Sequence, residues 1–196
     1  KYNPVVDPKG DVAAVLVKGD DKSNVRKTTI EGDINYNIVG SSKGVNNGVY
    51  ACQHADYTQK GNLNLSVKES DNIDCNIIAV RVGASNGNAN NVIVNLNGDT
   101  NLSIEDSTAD IVNVVRVTNG SEMIHNGNIN FYAENFAGTE GNHEGISGLW
   151  CRNGGVATLN GNINMTFIND GEYDLNYLNE NNIYGAGFHL DGTINH

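Results

Sequence analysis

The chain has 196 residues, of which 38% are hydrophobic, with 34 asparagines, 23 glycines and only 2 prolines. Such a bias could describe a disordered polar tract, but valine, isoleucine and leucine are spread evenly among the asparagines, which excludes it. A formal net charge of −11 argues against nucleic acid or an anionic membrane as partner, since both require a basic patch.

No apolar run approaches the roughly 18 residues that suggest a membrane span. The sequence opens at Lys1 with neither an initiator methionine nor a signal peptide, so it reads as a processed or excised piece. Cys52, Cys75 and Cys151 form no CxxC pair and no zinc spacing. They predict free thiols, at least two of them buried, and neither a metal nor a cofactor is expected.

In chain order, residues 1–9 read as an irregular lead-in and residues 10–31 as a partial repeat unit. Within the latter, Ala14-Val15-Leu16-Val17-Lys18-Gly19 has the character of a unit's second strand. From residue 32 a four-residue phrase recurs: Gly32-Asp33-Ile34-Asn35, Gly61-Asn62-Leu63-Asn64, Gly98-Asp99-Thr100-Asn101, Gly127-Asn128-Ile129-Asn130 and Gly161-Asn162-Ile163-Asn164. The intervals are 29, 37, 29 and 34 residues, as loops of variable length between fixed strands would give. They divide a single domain into units 32–60, 61–97, 98–126, 127–160 and 161–196, with both ends of the domain truncated.

After each glycine the residues alternate with period 2, the pattern of a strand with one buried face. Three apolar rows follow: Ile34, Leu63, Thr100, Ile129 and Ile163; then Tyr36, Leu65, Leu102, Phe131 and Met165; then Ile38, Val67, Ile104, Ala133 and Phe167. The opposite face carries Asn35, Asn64, Asn101, Asn130 and Asn164. A second strand is expected over residues 49–56, 77–85, 113–120, 146–154 and 184–192, several ending in turns such as Asn119-Gly120, Asn153-Gly154 and Asp191-Gly192. Its inward row would be Cys52, Val80, Val115, Leu149 and Gly187. A short third strand, as at Val92-Ile93-Val94, Met123-Ile124 and Val156-Ala157-Thr158-Leu159, leads to the next glycine.

Three strands per unit, each too short to stand alone, imply that equivalent strands pair from unit to unit at about 4.8 Å. The predicted fold is therefore all-β: a single-stranded parallel β-helix, a solenoid of about six coils with a quasi-one-dimensional core. An antiparallel sandwich or a propeller is the competing architecture, but a propeller blade needs four strands in about 40–50 residues.

With its Gly-Asn-Ile-Asn phrases and alternating tails, residues 10–196 resemble the passenger regions of bacterial type V secreted proteins, the autotransporters and related filamentous adhesins. The resemblance implies a right-handed β-helix, as does the usual crossover rule. It also implies a place on the bacterial cell surface, tethered by an outer-membrane barrel elsewhere in the protein, and a role in adhesion. Three cysteines are more than such passengers usually carry.

The outward asparagines are expected to bond one another as a structural ladder; a surface for a glycan, ice or a second copy is the functional alternative. The best candidate binding patch is an outward row on the second strand, Gln53, Arg81, Arg116, Trp150 and Phe188, in which arginine beside tryptophan allows cation–π contact. The neighbouring inward row would be His54, Val82, Val117, Cys151 and His189, with histidines near the ends of the stack. Cys75 falls about five residues out of register with Cys52, beyond disulfide reach.

No catalytic residue is assigned. Asp33 and Asp99 share a column with Asn62 between them, Asp106, Asp110, Glu134, Glu140 and Glu144 are scattered, and His143-Glu144 lacks the second histidine of a zincin motif. The expected function is that of a bacterial surface adhesin segment, a rigid stalk that also contacts a host or bacterial glycan or protein, or a second copy. The alternatives are a polysaccharide-active enzyme and a purely structural spacer.

Overall fold

A computed structural model describes residues 5–6, 12–19, 24–40, 44–70, 75–84, 91–138, 146–168 and 185–195, with side chains for all of these except 5–6, 75, 137–138 and 185–194. The first strands are β1 (Val5–Val6), β2 (Val12–Lys18), β3 (Arg26–Ile30), β4 (Ile34–Val39), β5 (Gly44–Cys52), β6 (Ala55–Gln59) and β7 (Leu63–Lys68). Next come β8 (Cys75–Val82), β9 (Ile93–Leu96), β10 (Thr100–Ala109), β11 (Ile111–Thr118) and β12 (Glu122–His125). The last are β13 (Ile129–Gly138), β14 (Ile146–Leu159), β15 (Ile163–Ile168) and β16 (Gly185–Asn195). The described residues contain no helix.

One sheet runs β15-β13-β10-β7-β4, and every pairing in it is parallel. Its register is the one the alternation predicts. Ile34, Leu63, Thr100, Ile129 and Ile163 are consecutive partners, as are the rows beginning at Tyr36 and Ile38.

The second sheet runs β1-β2-β5-β8-β11-β14-β12-β9-β6-β3. It is two parallel columns joined through β14, whose residues 146–152 pair with β11 and residues 156–159 with β12. β16 pairs with β14 over both stretches. Among the described strands only β1 and β2 are antiparallel, which rules out the antiparallel sandwich. β2 does pair in parallel with β5, so residues 12–18 extend the second-strand column. This all-β, mostly parallel arrangement is compatible with a parallel β-solenoid.

The core lies between the columns, with Leu63, Ile77, Leu96, Ile104, Ile129, Leu149 and Leu159 at most 2% exposed. Each such side chain contributes about 1.5–3 kcal/mol when removed from water. Burial weakens at the outermost described strands: Ile34, Tyr36 and Ile38 of β4 are half-buried, and Phe167 of β15 is 42% exposed, with no further strand on its far side among the described residues.

From the second phrase onward the glycine has a steric cause. A Cβ on Gly98 would lie 2.5 Å from the carbonyl oxygen of Gly61, and one on Gly61 would lie 2.5 Å from the carbonyl carbon of Gly32. The glycines stack directly, so only hydrogen fits.

In the second-strand column the register differs from the expected one at both ends. The inward residues Val49, Val80, Val115 and Leu149 share one ladder position, which Val15 and Phe188 continue in backbone register, so Val49 stands where Cys52 was expected and Phe188 pairs where Gly187 was. Ala51, Val82, Val117, Cys151 and Leu190 align next, so His54 and His189 do not belong there. The cause is burial on both faces. In β5 all seven residues from Asn46 to Cys52 are buried, so no polar/apolar alternation marks the phase. The turn after β5 is also unmarked by glycine: Gln53 and His54 themselves take left-handed φ values of 52° and 59°. Gly44 pairs with Cys75, placing Cys75 eight residues out of register with Cys52, further than expected. Cys52 and Cys151 are both buried, and Cys151 carries a free thiol.

Candidate functional site

The outer face of the β4–β7–β10–β13–β15 sheet is built by the second and fourth residues of each phrase. The asparagine ladder forms as expected: the Nδ2 of Asn64 donates to Asn35 Oδ1 at 2.8 Å, Asn101 to Asn64 at 2.7 Å, Asn130 to Asn101 at 2.7 Å and Asn164 to Asn130 at 2.8 Å.

The phrase's second residue also serves its neighbour. The backbone N–H groups of Asn62, Asp99, Asn128 and Asn162 donate to the side-chain oxygens of Asp33, Asn62, Asp99 and Asn128, respectively, at 2.7–3.0 Å. Asp33 and Asp99 are thus structural acceptors. A further ladder, Asn160 to Asn126 to Asn97 at 2.7 Å per step, was missed in the sequence. Its signal was the asparagine directly before Gly98, Gly127 and Gly161.

Between the asparagine ladder and the next outward column lies an open groove of about 640 Å³. That column is Asn37, Ser66, Ser103, Tyr132 and Thr166, and all five residues line the groove. Beyond it Glu105 pairs with both Lys68 and Glu134 in the ladder. Lys68 Nζ lies 2.6 Å from Glu105 Oε2, and the hydrogen bond to Glu105 raises the Lys68 pKa. The Tyr132 hydroxyl donates to Glu134 Oε2 at 2.5 Å, which raises the tyrosine's pKa. Asn135 donates to Asp106 at 2.9 Å.

The row predicted as an exposed patch is neither complete nor exposed. The column is Leu16, Tyr50, Arg81, Arg116, Trp150 and His189. Tyr50 stands where Gln53 was expected, and His189 where Phe188 was. Gln53 lies in the turn, and Phe188 pairs with Leu149. Arg81 is 6% and Trp150 3% exposed, with Arg116 half-buried.

The expected cation–π contact is present. The Arg116 guanidinium sits 4.2 Å from the Trp150 ring centroid, Arg152 sits 5.0 Å from the same ring, and Arg81 lies 4.5 Å from that of Tyr50. The two adjacent arginines each turn to the ring on their outer side, Arg81 to Tyr50 and Arg116 to Trp150, so each guanidinium leaves water against a π face and the row consolidates the sheet.

No family model, characterised protein or solved structure matches this chain.

Two polar clusters inside the core also escaped the sequence reading. His125, fully buried, places Nε2 at 2.9 Å from Thr100 Oγ1. Burial lowers its pKa to about 4, outweighing the raising effects of the Gly127 backbone and Asp99. The Tyr57 hydroxyl donates to Gln59 Oε1 at 2.5 Å, and Gln59 Nε2 donates to the Gly32 carbonyl at 2.7 Å. Thr100, the single polar member of the first apolar row, was the available sign of the first cluster. His143, Glu144 and Glu140, with Gly141 and Gly145, lie outside the described residues. Among the described residues no group of three or more His, Cys, Asp or Glu is arranged to hold a metal.

Proposed function

We propose that this chain is a segment of a bacterial cell-surface protein. In this reading it is a right-handed parallel β-helix, with three short strands per coil and about six coils, that serves as a rigid stalk and contact surface. Right-handedness follows from the rule that parallel crossovers in one sheet turn that way.

The observation that carries the reading is the unbroken parallel register from Ile34 to Ile163. It makes each unit the hydrogen-bonding template of the next and presents one chemically uniform outer face. A regular amide face on a stiff support favours adhesion to a host or bacterial glycan or protein, or to a second copy. The resemblance to autotransporter passengers points the same way.

The test is retention of cells and glycans by the immobilised chain. Saturable capture without chemical change of the ligand is the expected result. Capture of nothing would reduce the chain to a spacer.

The runner-up is a polysaccharide-active enzyme, favoured by one observation: Glu105 and Glu134 are adjacent in the ladder beside Tyr132. Such an enzyme would depolymerise a bound polysaccharide, and Glu134→Gln would abolish that activity.

A further inference from the structure

We propose that the groove on the asparagine face binds an uncharged linear glycan laid along the stacking direction, across β4, β7, β10, β13 and β15. The proposal rests on the contact-surface reading and gives it a ligand class.

A primary amide has two N–H donors and two oxygen lone pairs. The ladder uses one of each at Asn64, Asn101 and Asn130. Each of these residues therefore keeps one donor and one acceptor, repeated at about 4.8 Å. The ladder also fixes the amide rotamers, so binding does not have to order them. Ser66, Ser103 and Thr166 add hydroxyls along the opposite wall.

A sugar hydroxyl both donates and accepts, and a pyranose residue in an extended chain advances by a length close to one strand spacing. Successive sugars thus meet the same pair of groups. An extended polypeptide laid along the axis advances about 3.4 Å per residue and falls out of step.

Charge selects within the glycans. The groove's lining is uncharged, while Asp33 and Asp99 flank one side and Glu105 and Glu134 the other. Lys68 is paired to Glu105, and the whole chain carries −11. An anionic polymer would meet repulsion from both edges. Tyr132, held by Glu134 at 2.5 Å, gives the groove a fixed ring against which the apolar face of a sugar can pack.

The experiment titrates the full chain with cello-, chito-, xylo- and manno-hexaose, and with hexagalacturonate as the anionic control, by calorimetry and NMR. Saturable binding of at least one neutral hexaose, at least tenfold tighter than hexagalacturonate, is expected. Ser66→Phe blocks the groove at β7 without removing a ladder amide and should weaken binding at least tenfold. Ile93→Thr, at an exposed position on the other sheet, should leave it unchanged. If Ser66→Phe fails to fold, Thr166→Phe on the exposed end strand replaces it.

No saturable binding of any neutral hexaose overturns the proposal, as does binding that survives the groove-filling variant. Concentration-dependent dimerisation abolished by Ser66→Phe would assign the face to a second copy and equally overturn it. If cell capture persists in Ser66→Phe while no hexaose binds, the groove assignment falls and the adhesion reading stands. Loss of all cell and glycan capture by the unaltered chain sinks both.

Discussion

Thr100 Oγ1 lies 2.9 Å from His125 Nε2, both residues at most 1% exposed, so a hydroxyl from one sheet and an imidazole from the other close the core between two columns. His125 occupies a ladder position whose partners are Leu96 and Leu159. An uncharged ring fits there and an imidazolium does not.

This contact makes stability depend on pH. Burial lowers the His125 pKa from the ordinary 6.5 to about 4, so the unfolded chain binds the proton first. His125 therefore costs nothing above pH 6.5, and stability drains as pH falls from there toward 4. The full effect is of the order of 3 kcal/mol, at about 1.4 kcal/mol per pKa unit. His125→Leu should flatten urea-denaturation stability between pH 6.5 and 4, while costing about 1 kcal/mol at pH 7.5 for the hydrogen bond lost by Thr100. An unchanged pH profile in His125→Leu would contradict this account.

The glycine stack separates two chemically identical substitutions. Gly98→Ala drives a methyl group against the Gly61 carbonyl, whereas at Gly32 a Cβ would have nothing within 4 Å. Gly98→Ala should cost about 1–3 kcal/mol or more, the range for overpacking against neighbours that cannot move aside. Gly32→Ala should stay within about 0.5 kcal/mol of the parent. Thermal melts of the two variants side by side decide it.

What was legible in the sequence follows from which faces meet water. In the Ile34-to-Ile163 column one face is apolar and the other carries asparagine, so the phase of every strand can be read directly. The second-strand column is buried on both sides through Asn46–Cys52, and its phase had to be inferred from turn residues. That inference misplaced Gln53 and His54, whose left-handed turn contains no glycine. The groove was not legible at all. It depends on how the residues two positions beyond each asparagine, Ser66, Ser103 and Tyr132, stand beside the ladder.

The asparagine ladder should show a position dependence that isolated surface hydrogen bonds lack. Asn101 both donates to Asn64 and accepts from Asn130, whereas Asn35 only accepts from Asn64. At about 0.5–1.5 kcal/mol per bond, Asn101→Ala should cost roughly twice what Asn35→Ala costs in chemical denaturation. Equal losses at the two sites would mean that the ladder bonds do not contribute separately.

Trp150 is the chain's one tryptophan and reports directly on the cation–aromatic row. At 3% exposure it should emit as a buried indole and resist quenching by iodide. Arg116→Met removes the guanidinium 4.2 Å from the ring while keeping an apolar stem of similar reach. A shift in emission with a loss of up to about 2 kcal/mol is expected, the value of a desolvated cation–π pair. Trp150→Ala should cost about 3–5 kcal/mol as a large-to-small change in a packed site. Because the row is buried, both substitutions should act through folding stability, leaving hexaose affinity of the folded fraction unchanged. A selective loss of affinity in folded Arg116→Met would return this row to the binding surface.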